Sequence, residues 1–223
     1  MCGRFILEAD PDEIRKAFNL DQAPSPIQPS YNIAPTQSIA TVVQRDGQYV
    51  LEMMRWGLIP VWAKEMSIGA KMINARAETI AEKPSFKRPL KKQRCLIVAS
   101  GFYEWQKQGA SKTPMFIRFK SSEPFGFAGL YDTWKSPDGE SLTSCTIITT
   151  SANELMRSIH ERMPVILPKK AHKLWLDPAN QDLDELVALL QPYPADKLIA
   201  YPVAPLVNSI RNNSAENIRP VSA

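Results

Sequence analysis

Residues 95–105 read Cys-Leu-Ile-Val-Ala-Ser-Gly-Phe-Tyr-Glu-Trp, a continuous apolar run that leads into an aromatic cluster around one carboxylate. The first five residues predict a buried β-strand. If strand alternation continues beyond them, Phe102 and Glu104 face one side, and Tyr103 and Trp105 face the other. A carboxyl group in apolar surroundings has a raised pKa, which suits a general acid or base. The alternative interpretation of Glu104 is a solvent-facing residue on an edge strand.

The rest of the chain predicts further strands and several short helices. A strong hairpin signal, Asp46-Gly47, joins strands predicted over residues 38–44 and 49–56. Asp10, Pro11 and Glu13 predict a capped helix start, with the helix running to about Phe18. Further strands are predicted at residues 115–120, 126–131, 144–149 and 165–167, and a last one from Val203. Further helices are predicted at 151–159, with Ser151 as its cap, and at 168–175 and 182–190.

Length, composition and charge indicate one globular domain. The 223 residues are 44% hydrophobic and 22% charged, with 27 basic and 23 acidic side chains giving a net charge of +4. This charge is compatible with nucleic-acid binding but does not require it. Three cysteines without a paired or metal-like spacing indicate no metal site and a reducing compartment. Without a signal peptide or a long apolar run, we expect a cytoplasmic protein that does not enter a membrane.

The chain begins Met1-Cys2-Gly3-Arg4-Phe5. Removal of Met1 would leave Cys2 with a thiol and a free α-amino group, whose ordinary pKa values both lie near ~8 to 8.5. Such an aminothiol reacts with an aldehyde first through the amine, as a Schiff base, and then through the thiol to give a thiazolidine. Most cysteines at position 2 have no such role, so this interpretation needs support from other stretches.

Other polar and aromatic residues have both a structural and a functional interpretation. His160 precedes Pro164 at a predicted helix end, where a histidine is more often a cap than a catalyst. The basic stretch at 83–94 fits a solvated face, and with its interleaved phenylalanine it also fits a surface that follows a phosphate backbone. Partial exposure is expected for Trp62, and His172 is expected at the surface.

Six blocks of this sequence resemble one protein family. They are Met-Cys-Gly-Arg-Phe at 1–5, Tyr-Asn-Ile-Ala-Pro-Thr at 31–36, Arg-Trp-Gly-Leu-Ile-Pro at 55–60, Ile-Asn-Ala-Arg-Ala-Glu-Thr at 73–79, Gly-Phe-Tyr-Glu-Trp at 101–105 and Ile-His-Glu-Arg-Met-Pro at 159–164. Together they resemble the SOS response-associated peptidase (SRAP) family of abasic-site processing proteins. The resemblance covers nearly the whole chain.

The resemblance implies a single α+β domain over residues 1–223, with a β-barrel-like mixed or antiparallel core flanked by short helices and a C-terminal tail from about 209. It implies that the protein binds single-stranded DNA containing an abasic site and captures the ring-opened sugar aldehyde on Cys2. Asn74 would sense the sugar, Glu104 would promote ring opening, and His160 would assist proton transfer and crosslink reversal. A weak lyase activity and autocatalytic removal of Met1 are also implied, without a metal or other cofactor.

The arginines that follow the catalytic blocks, and several residues implied by the resemblance, are the predicted DNA contacts. They are Arg4, Pro35, Trp62, Arg76, Lys83, Lys87, Arg88 and Arg162. Some relatives carry an arginine just ahead of the pair Phe86-Lys87, where this chain has residues 83–85 as Lys-Pro-Ser. That phosphate contact is therefore expected to pass to Lys83 or Arg88.

Two other functions use the same residues. One is a cysteine peptidase acting in trans, with Cys2 as N-terminal nucleophile and His160 as base. The other is a non-catalytic binder of single-stranded DNA, for which Cys2 would be dispensable. The predicted partner remains single-stranded DNA with an abasic site, bound by a monomer that associates with the nucleoid through DNA.

Overall fold

The computed structural model describes residues 2–22, 24–109 and 111–221. These residues form a mixed α+β structure in which strands dominate. The strands are β1 (Phe5–Leu7), β2 (Ser30–Ile33), β3 (Ser38–Arg45), β4 (Gln48–Trp56), β5 (Asn74–Arg76), β6 (Arg94–Ala99), β7 (Gly101–Gln108), β8 (Ser111–Phe119), β9 (Phe125–Lys135), β10 (Ser141–Ser151), β11 (Arg162–Pro164), β12 (Ile166–Leu167) and β13 (Leu198–Pro202).

Five strands close into a barrel. Going round it, β10 pairs with β4, β4 with β3, β3 with β6, β6 with β9, and β9 again with β10. The β4–β10 pair is parallel and the other four pairs are antiparallel, so the barrel is mixed. This arrangement confirms the predicted single α+β domain with a β-barrel-like core.

A second sheet, in the order β13-β8-β7-β1-β2, packs beside the barrel. The stretch at residues 95–105 connects the two, because β6 belongs to the barrel and β7 to the second sheet. Gly101 stands at this crossing, where an added Cβ would lie 2.3 Å from the ring of Phe116. Phe116 lies on β8, the neighbour of β7 in the same sheet, so a glycine at position 101 leaves room for this ring against the start of β7.

The helices are short and lie outside the barrel. They are α1 (Pro11–Phe18), α2 (Pro84–Lys92), α3 (Glu154–Arg157), α4 (Lys169–Leu176) and α5 (Leu183–Ala188). The predicted cap of α1 is confirmed, because Asp10 accepts from the Glu13 N–H and the Glu13 carboxylate accepts from the Asp10 N–H. For α3 the predicted cap is wrong: Asn153, not Ser151, accepts from the Met156 N–H.

Three further expectations need correction. The basic stretch after Lys83 forms α2, a helix that the sequence did not predict. The last strand is β13, which ends before the predicted strand start at Val203. His172 is buried at 4% exposure, where its ring stacks on Phe18 with centroids 5.7 Å apart, so its predicted surface position is wrong.

The C-terminal segment, defined here as residues 205–221, is held against β2 by the buried side chain of Asn32. Its Nδ2 donates to the backbone carbonyls of Val207, Ser209 and Asn212, at 3.3, 2.9 and 2.7 Å. Its Oδ1 accepts from Arg4 Nη1 at 2.6 Å. One side chain therefore connects the start of the chain to its end.

No helix within the described residues is long and apolar enough to span a membrane.

Candidate active site

Pairing between β1 and β7 brings the N-terminus to Glu104. Phe5 lies opposite Phe102, and the Tyr103 N–H donates to the Arg4 carbonyl at 3.0 Å. Continued along the same antiparallel direction, the residues before Arg4 run beside those after Tyr103. Cys2 and Glu104 are therefore neighbours although 102 positions separate them in the sequence.

Cys2 lies at the bottom of this site with no exposed surface. Burial raises the pKa of its thiol, and the nearby Glu104 carboxylate raises it further, whereas the Arg4 backbone N–H partly offsets both effects. The thiol is therefore protonated at neutral pH until a group beside it accepts the proton. This favours the amine as the first group to react with a carbonyl compound.

Glu104 is 3% exposed, which excludes the solvent-facing alternative. Burial raises the pKa of its carboxyl group, and the charge of His160 acts in the opposite direction. The predicted alternation of β7 is also confirmed, because Phe102 belongs to the main core whereas Tyr103 and Trp105 belong to a second apolar cluster. A carboxyl group in this setting is suited to holding and returning a proton near neutral pH.

Asn74 fixes the backbone of Cys2 from the other side. It lies on β5, which pairs in parallel with β10 and places Asn74 opposite Ile147. Its Nδ2 donates to the Cys2 carbonyl at 2.9 Å. Its Oδ1 is buried and has no hydrogen-bond partner among the described residues. A buried acceptor of this kind is suited to receiving a hydroxyl group from a ligand.

His160 follows the short helix α3, where its backbone N–H donates to the Met156 carbonyl at 2.8 Å. Its Nδ1 accepts from the Arg162 backbone N–H at 3.0 Å. The turn is tied to the strand of Glu104 because Gln106, on β7, donates to the Ser158 carbonyl at 2.8 Å. The structure thus brings together all four residues predicted to carry the chemistry.

The three arginines predicted to contact phosphate differ in their surroundings. Arg76 is exposed to solvent on β5. Arg4 is half-buried, and burial lowers the pKa of its guanidinium group. Its Nη1 donates to Asn32 Oδ1 and to the Val207 carbonyl. Arg162 donates from both terminal nitrogens to the two carboxylate oxygens of Glu78, at 2.6 and 3.0 Å. Arg76 is therefore the best placed of the three for a phosphate.

Trp62 stands out on an apolar projection beside the barrel. It is 57% exposed, and Val61 and Met66 are each 46% exposed, which confirms the predicted partial exposure. The projection is anchored, because the Val61 N–H donates to Asp132 Oδ2 at 3.0 Å. An exposed ring on a fixed loop can stack on a base without reorganising the protein.

The remaining predicted DNA contacts are at the surface. Lys83, Lys87 and Arg88 are exposed at the start and along one face of α2. Pro35 is half-buried in the turn whose residue Thr36 has φ 73°. These positions are compatible with contact to a nucleic acid and equally with solvation.

Among the described residues, no group of three or more His, Cys, Asp or Glu side chains is arranged to hold a metal ion. The chemistry available here is that of a thiol, a carboxyl group, an amide and an imidazole.

Two residues of this region were not singled out from the sequence. Glu78 pairs with Arg162, and Asn32 holds Arg4 and the C-terminal segment. Both lie inside the blocks at 73–79 and 31–36 that carried the family resemblance. Their place in those blocks could have marked them as candidates for the site. Their contacts could not be predicted, because the partners lie far away in the chain.

Comparison with known proteins agrees with these observations. Residues 1–210 match the family described as SOS response associated peptidase (SRAP). "Abasic site processing protein YoqW" of Bacillus subtilis (strain 168) is 54% identical over 221 residues, which cover 98% of this chain and 99% of the relative. "Abasic site processing protein HMCES" of Xenopus tropicalis is 34% identical over 97% of this chain and 77% of the relative.

Solved structures show the same fold. A crystal structure of a protein from Bacteroides thetaiotaomicron superposes with a TM-score of 0.86 at 30% identity, over 99% of this chain and 100% of that one. A protein from Bordetella bronchiseptica superposes with a TM-score of 0.80 at 29% identity, over 91% of this chain and 100% of that one.

Proposed function

The chain belongs to the SOS response associated peptidase (SRAP) family, and on that premise we propose that it processes abasic sites in single-stranded DNA by covalent capture on Cys2. The observation that carries the proposal is the convergence of Cys2 and Glu104. The two groups lie close enough for the carboxylate charge to raise the pKa of the thiol. The relatives named for abasic-site processing support the substrate class.

Capture begins when the sugar ring opens. An abasic sugar is mostly a cyclic hemiacetal, and opening breaks its C1′–O4′ bond, places a proton on O4′ and removes one from the hydroxyl on C1′. Glu104 is the group suited to giving O4′ its proton, because burial raises the pKa of its carboxyl group and lets it donate near neutral pH. The proton of the C1′ hydroxyl passes to solvent water, so Glu104 is left as a carboxylate. The product is an aldehyde at C1′.

The amine of Cys2, free after Met1 is removed, then attacks the aldehyde carbon and forms a Schiff base with loss of one water. The thiol adds to the imine carbon, its proton passes to nitrogen, and the five-membered thiazolidine closes. Because burial keeps the thiol protonated, a proton acceptor must assist this second step. The Glu104 carboxylate, having given its proton in ring opening, is the acceptor beside it.

Asn74 and His160 act on the sugar in this scheme. The Asn74 amide holds the Cys2 carbonyl through Nδ2, and its buried Oδ1 accepts from a sugar hydroxyl. His160 lies within electrostatic reach of Glu104 and assists proton transfer in capture and in crosslink reversal. A Schiff base that does not close is the starting point for a weak lyase activity.

The DNA strand is proposed to lie across the exposed Trp62 and past Arg76, with Pro35 and the α2 residues Lys83, Lys87 and Arg88 as further contacts. Stacking of this kind tolerates any sequence and contributes about 1–3 kcal/mol per base. The protein is proposed to act as a monomer without a cofactor, located in the cytoplasm and associated with the nucleoid through DNA.

Removal of Met1 is proposed to be autocatalytic, and it concerns a residue outside the described ranges. Residues 222–223, at the end of the predicted tail, also lie outside the described residues.

The test mixes the protein with a labelled single-stranded oligonucleotide carrying one abasic site, beside an intact oligonucleotide, and resolves the products on a denaturing gel. The proposal predicts a heat-stable shifted band that requires both the lesion and Cys2. Cys95→Ala removes a buried thiol outside the site and is the matched control that retains the band. Absence of the band with protein that lacks Met1 contradicts the proposal.

The two rival functions give different results in the same assay. A peptidase acting in trans would turn over peptides and retain weak activity in Cys2→Ser, which cannot form a thiazolidine. A simple binder would retain its DNA affinity in Cys2→Ala and show no covalent band in the wild type.

A further inference from the structure

The backbone of residues 60–63 forms a tight turn, which is closed by the Ala63 N–H donating to the Pro60 carbonyl at 2.8 Å. Val61 and Trp62 are its two middle residues, and they are 46% and 57% exposed. Large apolar side chains that stand together in solvent mark a contact surface more often than isolated ones do. The turn therefore presents a contact surface, and its rigidity decides how that surface binds.

Three buried residues of the barrel hold this turn from one side. Strand alternation places Asp132 and Trp134 on the same face of β9, and Ser144 on β10 lies opposite Asp132. The hydrogen bonds are those from the Ile59 N–H to Ser144 Oγ at 2.8 Å, from the Val61 N–H to Asp132 Oδ2 at 3.0 Å, and from Trp134 Nε1 to the Ala63 carbonyl at 2.6 Å. The backbone is thus attached at three alternate residues around Trp62.

Asp132 is the central member of this group and is 2% exposed. Its Oδ1 accepts from the Thr133 N–H at 3.0 Å and from Gln93 Nε2 at 3.3 Å. Among the described residues, the Val61 N–H is the one hydrogen-bond donor to Oδ2. Burying a carboxylate costs free energy unless its oxygens accept hydrogen bonds, so Asp132 and the turn hold each other in place.

The residues before and after the turn meet at its base. A Cβ added to Gly57 would lie 2.5 Å from the Gly69 carbonyl oxygen, and one added to Gly69 would lie 2.6 Å from the Gly57 carbonyl oxygen. Gly57 also has φ +122°, a backbone conformation that favours glycine. This close approach fixes both ends of the segment that carries Trp62.

We propose that Asp132 is a positioning residue for Trp62. Together with Trp134 and Ser144 it holds the turn in one conformation before DNA binds, so the indole stacks on a base without the entropic cost of ordering a loop. The inference rests on the proposed function, in which Trp62 contacts single-stranded DNA. It assigns part of the DNA affinity to buried residues that do not touch DNA.

Fluorescence anisotropy with an intact single-stranded oligonucleotide measures the Kd. Asp132→Asn keeps the size of the side chain but replaces one carboxylate oxygen by an amide N–H group, and Trp134→Phe removes the indole donor while retaining an aromatic ring. Each raises the Kd by roughly five- to thirtyfold, the cost of fixing the backbone of one residue, and by no more than Trp62→Ala does. Thr133→Val is the matched control. It removes the hydrogen bond to Thr143 Oγ1 on the opposite face of β9, at 3.0 Å, and leaves the Kd unchanged.

A double-mutant cycle separates positioning from a merely structural role. In Trp62→Ala protein, Asp132→Asn changes the Kd by less than about twofold, because the ring that Asp132 positions is gone. An equal loss of affinity with and without the Trp62 ring would overturn the proposal. A wild-type Kd in both Asp132→Asn and Trp134→Phe would also overturn it.

The order of the turn is measured in the free protein by the ¹H–¹⁵N heteronuclear NOE of the backbone amides at residues 61–63. The wild type and Thr133→Val give the values of an ordered backbone, and Asp132→Asn gives reduced values confined to the turn. A turn that stays equally ordered in Asp132→Asn would contradict the proposal. Trp134→Phe carries both tests if Asp132→Asn does not fold.

Failure of the proposed function gives a different result. A wild type that forms no covalent band contradicts capture on Cys2, whereas these measurements use an intact oligonucleotide or no DNA.

Discussion

Asn32→Ala tests whether the C-terminal segment is part of the working structure. The Asn32 side chain is 2% exposed and makes four hydrogen bonds, three to carbonyls of the C-terminal segment and one from Arg4. Alanine removes all four and adds no strain. Arg4 retains its bond to the Val207 carbonyl but loses the shorter one to Asn32.

The expected loss follows from these contacts. A hydrogen bond contributes about 1 kcal/mol net, and one from a charged donor contributes more. The Asn32 amide has two protons for its three carbonyls, so losing it together with the bond from Arg4 lowers the free energy of unfolding by about 3 kcal/mol. Three carbonyls of the C-terminal segment also lose a partner, which releases this segment from β2 first. Because Arg4 is two residues from Cys2, the nucleophile loses its fixed position and crosslinking slows.

Urea denaturation followed by tryptophan fluorescence measures the stability, and limited proteolysis with mass analysis locates cleavage. Asn208→Ala is the control with a small expected effect. Asn208 accepts one exposed hydrogen bond, from Trp105 Nε1 at 2.8 Å, and its loss lowers the free energy of unfolding by less than about 1 kcal/mol. New cleavage within residues 205–221 is expected only for Asn32→Ala. Stability within about 1 kcal/mol of the wild type, or an unchanged cleavage pattern, would show that Asn32 does not hold the C-terminal segment.

Three further predictions concern separate parts of the molecule. Trp62→Ala weakens binding of single-stranded DNA by about 1–3 kcal/mol, measured by fluorescence anisotropy, while Trp62→Phe retains most of the affinity and neither changes the melting temperature. Burial lowers the pKa of His172 below its ordinary 6.5, so the unfolded chain binds a proton at this residue more readily than the folded protein does. The free energy of unfolding therefore falls as the pH drops below 6.5, by at most about 1.4 kcal/mol per pH unit. His172→Gln removes this pH dependence from the urea midpoint measured across the same range. Arg94→Lys lowers the unfolding free energy by about 3 kcal/mol, measured by denaturation, because the guanidinium donates to five backbone carbonyls and an ammonium has only three donors.

Local patterns predicted the elements whose signals are local. The capped start of α1, the hairpin turn at Asp46-Gly47 and the alternation of β7 all depend on residues close together in the chain. The type and position of these elements were therefore predictable. Closure of the barrel was not predictable, because it depends on which strands pair. The strand β10 pairs with β4 and β5, which both lie far before it in the sequence.

The predictions that proved wrong concern residues whose burial depends on how the helices pack against the strands. His172 looked like a surface residue on a short helix, but α4 packs against β6 and α1, so a polar side chain became buried and lost its water. The basic stretch gave no helix signal beyond Pro84 because its cations dominate its composition, although Phe86 and Leu90 form a buried face. Neither result follows from a residue's immediate neighbours.

The candidate site was predictable in its parts, since the residue types and the family resemblance identified Cys2, Asn74, Glu104 and His160. The residues that hold the surrounding backbone in place were not predictable. Glu78 and Asn32 act through partners 84 and 180 positions away, respectively, and such contacts appear only when the chain is folded.

Covalent capture on Cys2 is tested most directly by the intact mass of the conjugate formed with an abasic oligonucleotide, without a reducing agent, followed by peptide mapping. Closure of a thiazolidine predicts a species equal to the protein without Met1 plus the oligonucleotide minus one water, stable to heat, with the modification on Cys2. An adduct on a lysine, an adduct that persists in Cys2→Ala, or the absence of an adduct with protein lacking Met1 would exclude capture on Cys2.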